Sequence, residues 1–480
     1  MTLIRTLFIL VLLASSGARS DDAASQQILA FADRLSSHPL APPGYAIAIV
    51  ARDGTVLVHS GGIADASTHR KITSDSIFYI ASVTKSYVGL LAARLHAEGR
   101  FDLDAPMTAI WPKLELPQGL DASKVTFRML LSHVTPFDND VIGWRGSFAG
   151  EMSPEEIELA LREWTEPQEG FEYTNNGYII TAAALQLALG KSWKTLLREE
   201  ILQPLGMHDT AARTSLFAPD RFAVPHALVA DGWLPTAYKS DEVCHAAGGL
   251  HATIGDVATW MQVMLGHRKN DEVSIEVIKA ALTQQAVQDR EYHGFDRNGY
   301  ALGWNISRYG GRTIYEHGGG WHGVRAFVSF MPDAGIGVAV VSNGGKTGNI
   351  FNLGVLQHAY DVLFDDAGSI ETRQRYESTI TKLEQARPEA EKAGPTVRGL
   401  ELDSYVGTYA NEALGELVIR RDGNELVGAI GAYRLRLIPQ THEDFMAVEY
   451  PESDPDSATF SDFENGIPQA MDWEGIVFHR

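Results

Sequence analysis

The chain has 480 residues, 45% of them hydrophobic and 21% charged, enough to bury one large core or to form two or three domains. Its 61 acidic side chains against 40 basic ones leave a formal charge of -21, which argues against nucleic acid and anionic membrane surfaces as partners. A single cysteine, Cys244, excludes an intramolecular disulfide and a multi-thiolate zinc site, and reads as a packing residue.

The first segment, "MTLIRTLFILVLLASSGARSDD", carries Arg5, an apolar run from Leu7 to Ala14 and the small-residue end Ala18-Arg19-Ser20. That order predicts a secretory signal peptide over residues 1–20, with the mature protein starting near Asp21 in a periplasm or outside the cell. The run is far short of the ~20 residues a membrane-spanning helix needs.

Next, "GYAIAIVARDGTVLVHSGG" reads as two strands around an Asp53-Gly54 turn. From about Phe78 to Leu265 the pattern is mostly helical, as in "ITAAALQLALGKSWKTLLREEILQPLGM". Strands return in "RAFVSFMPDAGIGVAVVSNGG", with a turn at Pro332 to Gly335. Strands at both ends of a helical middle predict a mixed α/β fold with one sheet assembled from distant segments and a helical insertion. βαβ repetition is absent, which disfavours a doubly wound fold. The main domain is expected over 21–370, a charged helix and linker over 371–399, and a small antiparallel β domain over 400–480, where "GELVIRRDGNELVGAIG" turns at Asp422-Gly423.

Three stretches carry chemistry. In "IFYIASVTKSYVGLLAARL", Ser82 and Lys85 lie three apart, on one face if the segment is helical. A serine hydroxyl becomes a nucleophile when a neighbour takes its proton, and a desolvated lysine is one such neighbour. In "FEYTNNGY", a turn presents Tyr173, a candidate proton shuttle, and Asn175, a candidate hydrogen-bonding partner for a substrate amide. In "YEHGGGWHGVRAF", glycines allow close backbone approach to a ligand and His317 is titratable. Gly318, Gly320 and Gly323 spell G-x-G-x-x-G, but strands follow them rather than a helix, so no dinucleotide site is predicted. The spacing of His317 and His322 suits no metal, and no cofactor is expected.

Ser82-Val83-Thr84-Lys85, Tyr173-Thr174-Asn175 and His317-Gly318-Gly319, in that order, resemble the three motifs of the serine β-lactamase and penicillin-binding-protein superfamily. The flanks "VTFRMLLSHVTPF", "LQPLGMHDT", "AAGGLHATIGDVATW" and "ALGWNIS" resemble its class C β-lactamase-related group, which includes D-alanyl-D-alanine carboxypeptidases, D-aminopeptidases and esterases. The likeness spans roughly residues 25 to 365. It implies an antiparallel sheet flanked by helices, an all-helical subdomain and an active site between them, with the C-terminal segment similar to the β-barrel appended to several members. It also implies an acyl-enzyme on Ser82, proton transfer shared by Lys85 and Tyr173, and a substrate site formed by Asn175, His317, Gly318, Gly319 and Gly320. The N–H groups of Ser82 and Gly320 would form the oxyanion hole, and His317 would steady charge where relatives often carry lysine. Cleavage of short peptides, including D-residue-containing or peptidoglycan-derived ones, is the first expectation. The alternatives are a small-acyl esterase, a weak β-lactamase and a non-catalytic penicillin-binding or sensor protein. Two departures matter: His-Gly-Gly replaces Lys-Thr-Gly, which weakens the case for an antibiotic carboxylate, and Val134-Thr135-Pro136 follows "LLSH" where Thr-Ser-Gly is usual.

Overall fold

The computed structural model describes residues 16–268, 273–364, 370–388, 397–423, 425–449 and 456–480, without the side chains of 16–22 and 370–373. The apolar run of the expected signal peptide and residues 389–396 of the expected linker lie outside these. Nine antiparallel strands form the main sheet, in the spatial order Ala286–Tyr292, Phe295–Tyr300, Asn305–Tyr309, Arg312–Trp321, Val324–Met331, Ile336–Ser342, Gly44–Val50, Val56–Asp65 and Arg70–Lys71. The N-terminal hairpin therefore joins the last strand to enter the sheet, with Tyr45 opposite Ser342 and Val50 opposite Gly337.

Gly44–Val50 is buried along its whole length. Successive side chains leave a strand on opposite faces. Ala46, Ala48 and Val50 enter the core shared with the helical region, while Tyr45, Ile47 and Ile49 pack under helices Ser16–Ser36 and Lys346–Leu363. Double coverage explains why this run is continuously apolar instead of alternating. The helical region centres on Thr84–Ala97, buried at every residue from Thr84 to Leu95, which is why its run from Tyr87 to Ala93 is apolar on all sides. Among the described residues, no helix is long and apolar enough to cross a membrane.

Residues 407–479 close into an eight-stranded antiparallel barrel, its first and last strands meeting at Ala410 and His479. A barrel of this size can hold one small ligand or fill itself with side chains. Here Tyr409, Leu417, Leu426, Leu437, Phe460 and Phe478, all buried, fill it. The barrel docks on a short turn of helix, Arg145–Ala149: the Ala432 N–H donates to Phe148 O at 2.7 Å, and the Tyr433 ring meets Phe148 and Trp144 at 4.6 and 5.5 Å. Gly431 makes this approach possible, with φ +54° and space for no side chain, since a Cβ would lie 2.5 Å from Ala149 Cα. A β-branched residue there costs about 1–2 kcal/mol for the left-handed conformation alone. Gly431→Val is therefore expected to release the barrel, read in calorimetry as one unfolding transition splitting into two.

Candidate active site

Ser82 sits in a tight turn, Ala81–Val83, that runs straight into helix Thr84–Ala97. Ala81 has φ 45°, a left-handed conformation that a side chain occupies at a cost, and such strain clusters at functional sites. Two hydrogen bonds hold the turn: the Thr84 hydroxyl donates to Ala81 O at 2.6 Å, and the Ile80 N–H donates to Leu250 O at 3.0 Å.

Lys85 is fully buried, with Nζ 2.8 Å from Asn175 Oδ1, 3.0 Å from Ala247 O and 3.2 Å from Ser82 Oγ. Burial, and then repulsion from Lys239, push the ammonium well below the ordinary lysine value. A neutral amine has two hydrogens and one lone pair. The two carbonyl oxygens can only accept, so they take the hydrogens, and the lone pair is left facing Ser82 Oγ. This is the geometry of a general base on a serine nucleophile.

Tyr173 is half-buried with its hydroxyl enclosed, and this desolvation raises its phenol; the Ser82 hydroxyl and Arg297 act in the opposite direction without cancelling it. Among the described residues its hydroxyl has no hydrogen-bond partner of regular geometry, and Lys85 Nζ lies 4.7 Å from the ring centre. Asn175 precedes helix Asn176–Leu189. Its Oδ1 is taken by Lys85, which leaves the amide NH₂ for a ligand. Tyr178 is a core residue, its hydroxyl donating to Leu131 O at 2.9 Å.

The third element lies on strand Arg312–Trp321. Its neighbour toward the sheet edge, Asn305–Tyr309, stops where Asn305 pairs with Glu316, so His317–Trp321 are paired on one side only, with Val324–Val328. The Ser82 turn packs against this half-paired stretch so closely that a Cβ on Gly319 would lie 2.2 Å from Ile80 O. Gly318, Gly319 and Gly320 line the cavity across from Ser82. His317 is 2% exposed, with Nδ1 2.7 Å from Gly318 O and Nε2 3.3 Å from the Tyr300 hydroxyl. The carbonyl requires the hydrogen on Nδ1, so Nε2 accepts from Tyr300. Burial, then Lys85, lower the imidazole to about 3. The ring that the resemblance expects to steady charge is neutral here, chiefly because desolvation opposes its protonation.

The cavity, about 290 Å³, brings Ser82, Tyr173 and His317 together with three arginines that the motifs did not single out, Arg290, Arg297 and Arg325. Arg297 makes a bidentate pair with the buried Glu316, at 2.6 and 2.9 Å. Arg290 faces Arg297 directly across the ladder, a pair of like charges that the Glu316 carboxylate on Arg297 offsets in part. Arg325 Nη1 donates to Trp321 O and Val324 O, which sets the guanidinium beside Gly320. The signal for this group was the His293-Gly294 step between "VQDREY" and "FDRNGY". Both residues have positive φ, as a two-residue hairpin turn demands, and that hairpin pairs the two arginines. Cys244 lies outside the cavity, fully buried, with burial pushing its thiol up to about 12. That fits packing.

The family described as Beta-lactamase matches residues 32–354. Unguisins hydrolase ungD' of Aspergillus campestris is 25% identical over 405 residues, covering 79% of this chain and 75% of the fungal one. Esterase EstB of Burkholderia gladioli is 31% identical over 205 residues, 38% of this chain and 50% of its own. Among solved structures, the D-amino acid amidase of Ochrobactrum anthropi in complex with L-phenylalanine amide superposes with a TM-score of 0.59 at 22% identity, over 75% of this chain and 99% of the amidase.

Proposed function

The chain belongs to the beta-lactamase family of serine hydrolases, and from that premise we propose that it cleaves amide bonds of short peptides through an acyl-enzyme on Ser82. One observation carries the reading: a fully buried Lys85 Nζ 3.2 Å from Ser82 Oγ, with two carbonyl oxygens as its other partners and burial lowering it well below the ordinary lysine value. As Ser82 Oγ attacks the substrate carbonyl carbon, Lys85 takes its proton. The oxyanion lies on the N–H groups of Ser82 and Gly320. Ser82 stands at the start of a helical turn, where N–H groups lack intrahelical acceptors, and Gly320 lies in the half-paired stretch of its strand. The neutral Tyr173 phenol gives its proton to the leaving amine as the C–N bond breaks, and is reprotonated through Lys85. Water then attacks the acyl-serine with the same groups acting as base, releasing the acid and restoring Ser82. A neutral His317 holds Tyr300 and shapes the wall, and Asn175 offers its NH₂ to the substrate amide.

The arginines support a substrate with a free carboxylate, the cation absent from the third motif being supplied from neighbouring strands. A D-alanyl-D-alanine carboxypeptidase/endopeptidase and a D-amino acid amidase among the relatives favour an amide substrate, and EstB keeps a small ester as the second reading. Residues 1–20 support a secreted or periplasmic enzyme, tested by N-terminal sequencing of the protein recovered from the periplasm or the medium.

The test is intact-protein mass over time with a penicillin, a D-alanyl peptide thioester and a short-chain phenyl ester. A transient adduct on one peptide, with the thioester loading and clearing fastest, is expected. Turnover without any adduct under rapid quench, or an ester that outpaces the thioester, overturns the peptidase reading. For thioesters differing only in a terminal carboxylate or carboxamide, the carboxylate form is expected to react ~10-fold faster, and Arg290→Gln to remove most of that preference. Equal rates for the two forms would remove the arginines from substrate recognition.

A further inference from the structure

His133 lies two residues beyond helix Phe127–Leu131, directly after its C-cap Ser132, in the left-handed conformation at φ 62°, where Gly or Asn is the usual choice. It is 3% exposed. Two of its atoms grip the segment that carries Tyr173: the Glu172 N–H donates to His133 O at 3.0 Å, and the Thr174 N–H approaches Nδ1 at 3.4 Å. These two amides flank Tyr173 on either side. With Nδ1 accepting, the ring hydrogen sits on Nε2, which is buried with no acceptor among the described residues. The ring is enclosed by Tyr173 and Tyr300, each 4.7 Å away, and by Phe171 at 5.8 Å. Burial holds the imidazole well below its ordinary value. A residue of this size, in a backbone conformation that disfavours it and with a hydrogen left unpaired, is poorly explained by packing alone.

We propose that His133 is a positioning residue for Tyr173: it clamps the amides on both sides of the tyrosine and packs against its ring, fixing the phenol at Ser82. The proposal rests on the acyl-transfer reading above, since it assigns Tyr173 a place at the reacting atoms. A reacting group displaced by about 1 Å loses on the order of 10²-fold in rate.

Two variants separate the clamp from the backbone. His133→Gly suits φ 62° and keeps the carbonyl, but removes the acceptor for Thr174 and the ring against Tyr173. His133→Asn also tolerates the conformation and restores an acceptor through its side-chain oxygen. Both are expected to fold. With the short-chain phenyl ester, His133→Gly should lower kcat by ~10²-fold while KM changes less than ~3-fold, and His133→Asn should recover at least ~10-fold of the loss. Amide exchange at Thr174 should quicken in His133→Gly and slow again in His133→Asn. The proposal is overturned if His133→Gly keeps kcat within ~3-fold of the parent, or if the Asn variant regains neither rate nor protection. If the parent itself turns over no acyl substrate, the acyl-transfer reading fails and the clamp is judged on exchange alone: unchanged exchange at Thr174 in His133→Gly rejects it.

Discussion

Ser82→Ala is expected to abolish the covalent adduct and to lower kcat/KM by ~10⁴-fold or more, down to whatever binding and the oxyanion hole achieve without a nucleophile. The fold should survive. The turn is held by the Thr84 hydroxyl on Ala81 O and by the Ile80–Leu250 backbone bond, neither of which involves the Ser82 side chain. The loss should therefore come with an unchanged circular dichroism spectrum and a thermal midpoint close to that of the parent. An adduct of the same mass on the alanine variant would assign the nucleophile elsewhere and remove the basis for the proposed mechanism.

Different parts of the molecule were legible in the sequence for different reasons. Ser82, Lys85, Tyr173 and Asn175 stand out because their chemistry depends on residue type, and the structure gathers Lys85 Nζ onto both Ser82 Oγ and Asn175 Oδ1 from segments 90 positions apart. The N-terminal hairpin and the barrel were legible because Asp53-Gly54 and Asp422-Gly423 are turn chemistry between β-type runs, and both appear as paired strands. The partner of the hairpin was predicted only as distant, since strand pairing across nearly 300 residues leaves no local mark. The protonation of His317 was not legible, because it depends on burial, on a neighbouring carbonyl and on a lysine brought close by the fold. Arg290, Arg297 and His133 were missed for a related reason. Arginines in a strand read as a solvated face, and a histidine after "LLS" reads as an incidental polar residue until the left-handed turn is seen. The role of the C-terminal domain was also open. The structure connects it to the site through an aromatic chain, Tyr433 on Phe148 and Phe148 on Trp321, at the end of the strand that carries His317 to Gly320.

Lys85→Met should cost at least ~10²-fold in kcat/KM, because it removes the base while keeping the length and apolar stem of the side chain. Lys85→Arg should do no better, since a guanidinium stays protonated and offers no lone pair to Ser82. The pH dependence gives the sharper test. In the parent, the neutral amine is the active form, so kcat/KM should fall as pH drops through the depressed lysine value and rise to a plateau above it. Stability follows the same sign. The unfolded chain keeps this lysine protonated up to its ordinary value of 10.5, whereas the folded chain releases the proton at a much lower pH. Between those two values the unfolded state binds more protons, and stability increases with pH. Lys239, lowered to about 7 by burial, adds a slope of the same sign over part of that range, so the contribution of Lys85 has to be read as a difference between proteins. The thermal midpoint of the parent minus that of Lys85→Met should grow as pH rises toward 10.5. A difference that stays flat with pH would mean that Lys85 keeps its proton in the folded protein, and the serine would then need another base, with Tyr173 the next candidate at the Ser82 hydroxyl.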